Sequence, residues 1–261
     1  MSVTLEQVKR RLNAAKGGEA LQTFAEVLFG KADGDFFAAF DPDALGAMAQ
    51  SGLRRLQARQ REPLHVAVFN PSYPADGWEA PYTVVEVHLH DRPFIVDSLR
   101  AELRRRGYEL YHLLHPIVPV VRKEDGSFAG FGGEAARYEA YELYFIERED
   151  DPQGRSALET ALRAVLTDVI LATDDYAAMR AQARRLHDDL TRLAARETTP
   201  LPREELEEYA AFMTWLDEDN YVFLGYREYD LLEHDGLPSL QVTPGSGLGI
   251  LSKMEDSGYR Q

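Results

Sequence analysis

The sequence runs to 261 residues, 44% hydrophobic and 28% charged, with 44 Asp+Glu against 29 Lys+Arg and a formal net charge of -15. A negative field of that size repels nucleic acid and anionic membranes, so neither is an expected partner, although small anions feel local charge more than the total. There is no cysteine, which excludes disulfides, thiolate metal sites and cysteine nucleophiles; the start Met1 to Lys9 lacks the apolar core of a signal peptide, no stretch approaches the ~18 apolar residues of a membrane span, and a cytoplasmic location is expected.

In chain order, residues 1–61 predict a helical N-terminal segment that packs on something else. Leu5, Val8 and Leu12 recur at helical spacing, as do Leu21, Phe24 and Leu28. Gly17-Gly18 and Gly30 interrupt them, and Asp41-Pro42 opens a further helix carrying Leu45, Met48, Leu53 and Leu56.

Residues 62–173 predict an α+β unit. Leu64 to Phe69 is a short apolar strand, and Tyr82 to His90 a strand with strict alternation. Val85, Val87 and Leu89 face one way, and Glu86, His88 and His90 point to a wet or polar-covered face. A helix opens at Arg92-Pro93 with Asp91 as its cap, carries Ile95, Leu99 and Leu103 in its stripe, and ends at Gly107 after Arg104, Arg105 and Arg106. Tyr108 to Arg122 reads as one long β segment, bent at Pro116 and Pro119; Gly130 to Gly133 reads as a loop and Arg137 to Glu147 as a strand. Ser156 to Ala172 follows as a helix with Leu158, Leu162, Val165 and Val169 inward. Strand, helix, strand, strand, helix is the ferredoxin-like split β-α-β order, a four-stranded sheet with helices on one face, in which Leu64 to Phe69 is available for the closing strand's place.

Residues 174–218 predict a helical connector. One helix has Met179, Ala183, Leu186, Leu190 and Leu193 inward; Pro200 and Pro202 mark a joint; a second helix has Leu206, Tyr209, Met213 and Leu216 inward. Residues 219–261 predict the start of a second β-containing domain, with an aromatic strand Tyr221 to Leu232 and glycine loops at Gly236, Gly245, Gly247 and Gly249. The chain stops soon after this sheet opens, as an excised piece of a longer protein would.

The loop His90-Asp91-Arg92-Pro93-Phe94 carries the most chemistry. Amides at a helix N-terminus suit an anion such as an amino-acid carboxylate, Asp91 an amino group and Arg92 an acidic side chain; capping alone also explains Asp and Pro there. His88 and His90 share a strand face and His112 and His115 lie on the next β segment. Glu86 is the one obvious third ligand, so polar residues on an exposed sheet face explain them better than a metal. Gly245-x-Gly247-x-Gly249 misses the dinucleotide spacing, no nucleophile elbow appears, and the aromatic run Tyr221, Phe223, Tyr226, Tyr229 suits core packing better than base stacking.

Asp91-Arg92-Pro93 between a strand and an amphipathic helix resembles the signature of ACT domains, small amino-acid-sensing modules of split β-α-β fold. The run His90 to Leu99 (HDRPFIVDSL), Trp215 to Tyr229 (WLDEDNYVFLGYREY) and Gly247 to Leu251 (GLGIL) are similar, in order and spacing, to the N-terminal region of the large bacterial NAD-specific glutamate dehydrogenases, over about 64 to 251. The resemblance implies an ACT-like domain over 62–173 and a parent enzyme that oxidises glutamate to 2-oxoglutarate and ammonia with NAD. That chemistry needs a lysine-containing active site and a Rossmann domain. The five lysines here, Lys9, Lys16, Lys31, Lys123 and Lys253, form no such site, so neither catalytic residue nor cofactor is expected in this chain. What is implied is regulation or assembly: the rest of the parent polypeptide as partner, a homo-oligomer, and an amino-acid effector at His90, Asp91, Arg92 and Phe94. A stand-alone amino-acid sensor and a structural oligomerisation module are the alternatives. Ligand-binding ACT domains usually carry glycine after Asp-Arg-Pro, and Phe94 departs from that, its phenyl expected to fill the effector's space or pack into the core.

Overall fold

A computed structural model describes residues 4–14, 18–59, 64–234 and 237–253; Lys16, Gly17 and Gly236, named above, lie outside these. The chain parts into two units, Met1–Thr167 and Asp168–Gln261.

The first unit opens with helices α1 (Leu5–Ala14), α2 (Glu19–Phe29), α3 (Gly34–Ala39) and α4 (Pro42–Ala58). Their starts follow from local chemistry: the side chain of Asp33 accepts from the Phe36 amide and that of Asp41 from the Ala44 amide, each at 2.8 Å, with Pro42 beginning α4. Then come β1 (Leu64–Phe69), the single turn α5 (Tyr73–Asp76), β2 (Thr83–His90), α6 (Ile95–Arg105), β3 (Leu110–Leu114), β4 (Ile117–Arg122), β5 (Phe128–Phe131), β6 (Arg137–Ile146) and the long α7 (Pro152–Asp174), along which the division between units falls.

The six strands form one sheet in the order β1-β2-β6-β4-β5, with β3 also pairing β6, and every pairing is antiparallel. Leu64–Phe69 thus lies at one edge of the sheet, beside β2. The expected continuous segment from Tyr108 to Arg122 is two strands, broken at His115-Pro116, and part of the expected glycine loop is β5; positive φ begins only at Gly132 and Gly133.

Both faces of this sheet are covered, not one. Val84, Tyr141, Leu143 and Phe145 pack into a core with Phe24, Phe29, Phe36, Leu45 and Met48 of the helical segment, so that segment packs on the sheet itself. The opposite face carries Val85, Val87, Leu89, Tyr144 and Ile146, all buried, and the stripes Ile95, Leu99, Leu103 of α6 and Leu158, Leu162, Leu166 of α7 are buried as well; Leu166 takes the inward place expected for Val165, which is half-buried. Gly52 lets α4 lie close on the sheet, since a Cβ there would sit 2.6 Å from the Tyr141 hydroxyl and 3.2 Å from the Phe24 ring.

The outer edge of β1, which sequence alone leaves open, is occupied. Arg163 of α7 donates to the carbonyls of Leu64 and Val66 at 3.3 and 3.1 Å, and Glu159 accepts from the Val68 amide at 3.3 Å. Side chains there stand in for a neighbouring strand.

The second unit holds α8 (Tyr176–Ala194), α9 (Arg203–Trp215), a π-turn over Leu216–Asn220, the ribbon β8 (Tyr229–His234) with β9 (Leu237–Val242), and the short pair β7 (Gly225–Tyr226) with β10 (Leu248–Gly249). The expected strand Tyr221 to Leu232 is therefore an extended lead into two separate strands, and Leu186 and Tyr209, expected inward, are exposed. Arg180 and Arg184 of α8 both grip Asp217 of the π-turn, at 2.6 and 2.7 Å. The glycine run is structural: a Cβ at Gly249 would lie 2.3 Å from the Leu224 carbonyl and one at Gly247 2.8 Å from that of Leu251, so these glycines allow backbone to lie on backbone. Among the described residues, no helix is long and apolar enough to cross a membrane.

Candidate functional site

The structure brings His90, Asp91, Arg92 and Phe94 together at one end of the sheet, in the turn from β2 to α6. The His90 ring meets the Tyr138 carbonyl through Nδ1 at 2.7 Å, and the Asp91 amide donates to the same carbonyl at 3.0 Å, so the loop is pinned to the end of β6. The Arg92 Nε donates weakly to the His90 carbonyl at 3.4 Å. Asp91, Pro93 and Phe94 are exposed and Arg92 is half-buried.

The local geometry corrects the expected helix start. α6 begins at Ile95, not at Arg92-Pro93, and no side chain caps it, so Asp91 is not its cap. The cause is Phe94, which sits at the N-cap in the left-handed region with φ 72° and ψ 2°. That conformation turns the backbone just before the helix, so Phe94 and not Asp91 holds the N-cap position. For a phenylalanine it is strained, whereas glycine takes it freely. The same position therefore suits the glycine of the family pattern for a conformational reason as well as for space. Nor does the ring pack into the core: Phe94 is 44% exposed.

The sheet face beneath α6 holds a group that sequence did not single out. Glu142 of β6, opposite Val87, is buried, and its one hydrogen-bond partner among the described residues is the Tyr144 hydroxyl, which donates to Oε2. Burial pushes the Glu142 carboxyl up to about 7; the Tyr144 bond works against this and the negative charge of Asp91 adds to it. The charge of Asp91 in the loop is thus a minor cause of the raised Glu142, after burial. One carboxylate within a strand, with its partner two residues on, forms no motif that sequence could have found.

The opposite face of the sheet carries a second buried polar system. Arg55 of α4 bonds Glu86 at 2.8 Å and Asp76 at 3.0 Å, and the Tyr141 hydroxyl donates to the same Glu86 oxygen at 2.8 Å. One helical turn on, Arg59 meets Glu139 at 3.0 Å, Arg122 grips both oxygens of Glu139 at 2.7 and 2.9 Å, and the His88 ring lies 2.5 Å from it. Burial acts to raise the Glu139 carboxyl, but the bonds from Arg122 and His88 outweigh it and hold it well below the carboxylate range. Burial lowers His88, against the pull of Glu139, and keeps it neutral. The polar face of β2, expected to be wet or covered by polar partners, is thus covered at Glu86 and His88, with Arg55, Arg59 and Arg122 supplying the counter-charges, while His90 stays exposed. His65 Nε2 and Glu86 Oε1 face each other at 3.5 Å, and neither makes a hydrogen bond.

The histidines do not converge. His88 is committed to Glu139, His90 to a carbonyl, and His112 packs among the rings of Phe36, Tyr82 and Phe145, while His115 is exposed. Among the described residues no group of three carboxylates or histidines is arranged to hold a metal ion.

Residues 24–162 match the family described as "Glutamate dehydrogenase, ACT1 domain". The chain is 30% identical over 261 residues to an NAD-specific glutamate dehydrogenase of Halomonas elongata, an alignment covering 98% of this chain and 16% of that protein. It is 35% identical over 192 residues to an NAD-specific glutamate dehydrogenase of Pseudomonas aeruginosa, covering 71% of this chain and 12% of that protein. The chain therefore spans about a sixth or less of the length of these relatives.

Proposed function

The chain belongs to the family of NAD-specific glutamate dehydrogenases that carry the ACT1 domain, and from that premise we propose that it is the regulatory or assembly part of the N-terminal region of such an enzyme. The parent converts glutamate and NAD to 2-oxoglutarate, ammonia and NADH in the cytoplasm, and this chain itself neither binds NAD nor transfers hydride. The sheet is read as the ferredoxin-like arrangement with β1 in the closing strand's place, supported by the order β1-β2-β6-β4 and the helices α6 and α7 at the expected points.

The observation that carries the regulatory reading is the turn at His90 to Phe94. An exposed Asp91 stands beside a helix start whose first-turn amides meet no capping side chain, so a small zwitterion finds an acceptor and a set of donors side by side. Thermal melts of the purified chain against the common amino acids test it. An effector raises the melting temperature by mass action, and Asp91→Ala abolishes the rise. A melting temperature unmoved by the whole panel overturns effector binding at this loop. Phe94 favours the second reading, a domain that keeps the ACT fold for assembly, because its ring stands where an effector would approach the backbone. Turnover of glutamate with NAD by this chain alone, or NAD binding in calorimetry, would overturn the non-catalytic assignment.

A further inference from the structure

The second unit is poor in core and rich in exposed apolar surface. Among its described residues, the buried large apolar side chains are Val169, Met179 and Leu206, accompanied by four alanines. Helix α9 buries Leu206 and Ala210, and its outward side carries Tyr209, Phe212 and Trp215, which are 42%, 50% and 46% exposed. Phe212 and Trp215 stack on each other with ring centroids 5.8 Å apart and planes 14° apart, forming a flat aromatic shelf. Spacing of three along a helix places all three rings on one stripe. Paired, half-exposed aromatics of this kind are the usual anchors of a protein interface, not of a free surface.

Charge limits what can lie on the shelf. The first two turns of α9 carry Glu204, Glu205, Glu207 and Glu208, and the π-turn beyond Trp215 carries Asp217, Glu218 and Asp219. Acidic groups thus crowd the N-terminal end of the stripe, whereas at the other end Asp217 and Asp219 are paired by Arg180 and Arg184 of α8. A second copy laying its own stripe parallel on this one would oppose Glu204, Glu205, Glu207 and Glu208 to their own counterparts. Most of the length of the relatives, by contrast, lies outside the span this chain covers.

We propose that the stripe Tyr209, Phe212, Trp215 is the docking face for a segment of the remaining parent polypeptide, whose own apolar contact is rimmed by arginine or lysine. This rests on the reading of the chain as part of a longer dehydrogenase.

Hydroxyl-radical footprinting of the three rings, in the 261-residue chain and in the full-length parent, tests it. The expected result is fast oxidation in the short chain and a fall of about tenfold or more in the parent, as for rings taken from half-exposed to buried. Glu208→Lys, on the same stripe, should raise oxidation in the parent and leave it unchanged in the short chain. Equal oxidation in both proteins overturns the docking face. So does slow oxidation in the short chain that is relieved by dilution and tracks a dimer in sedimentation, which would assign the stripe to a second copy. NAD-linked glutamate oxidation by the same parent preparation is read separately: an active parent without protection rejects the docking face alone, and an inactive parent with protection rejects the dehydrogenase assignment alone.

Discussion

Replacing Glu142 by glutamine keeps the side chain's shape and its bond with Tyr144 but removes the proton that burial makes costly to lose. In the folded chain the carboxyl titrates near about 7, against an ordinary 4.5. A carboxyl raised on folding stabilises most below its unfolded pKa, and that stability is lost as pH rises through the folded value. The window is therefore pH 4.5 to about 7, and the loss across it is about 3 kcal/mol at ~1.4 kcal/mol per pH unit. Glutamine, which cannot ionise, escapes the loss. Urea melts of both proteins at pH 5 and pH 8 measure it, because every other titrating group is shared and cancels in the difference. Relative to the unsubstituted chain, Glu142→Gln should gain about 2.5 kcal/mol between those two pH values, the rest of the loss falling below pH 5. A difference that stays flat within ~0.5 kcal/mol, the scatter of a neutral surface change, would mean that the carboxyl is solvated or paired, and would refute its raising by burial.

Gly52→Ala improves intrinsic helix propensity by about 1 kcal/mol, yet the new methyl meets the Tyr141 hydroxyl and the Phe24 ring; a net loss of about 1–3 kcal/mol in denaturant melts is expected, and a stabilised variant would show that α4 can lift away. Arg122→Met strands Glu139 among fewer donors and should cost about 3–5 kcal/mol, while adding Glu139→Gln should restore most of it. Because Glu139 is held low, its contribution is present above the ordinary carboxylate pKa and lost as pH falls, so the single variant should also flatten the acid arm of the stability profile; an unchanged arm would place that loss elsewhere. Asp91→Ala should change the ligand-free melt by no more than ~0.5 kcal/mol, since Asp91 caps no amide; a loss of ~1 kcal/mol would restore it as a cap.

Much of the fold was legible because its signals are local. The two faces of β2, the stripe of α6 and the capped start of α4 all follow from spacing and one residue type at one place. What lay beyond reach was what covers each face. Alternation separates Glu86 and His88 from Val85 and Val87, but only the fold delivers Arg55 and Arg59 to them. The same holds for the edge of β1, which reads as open until Arg163 and Glu159 arrive from α7. At the loop, the motif pointed to residues 90–94, while their geometry escaped because nothing about a phenylalanine announces a positive φ. In the second unit the aromatic run suggested one strand, yet the glycines at 225, 247 and 249 impose close backbone crossings that split it.

The bond between Arg59 and Glu139 joins residues 80 positions apart, and this sets a timetable. During synthesis α4 leaves the ribosome long before β6 exists. At roughly 5–20 residues per second, the wait is on the order of ten seconds. Through it, Arg55 and Arg59 stay hydrated, and the apolar sides of α2 and α4 have no sheet to lie on. Helices α1 to α4, made before the sheet, thus wait for β6 before their apolar sides are covered.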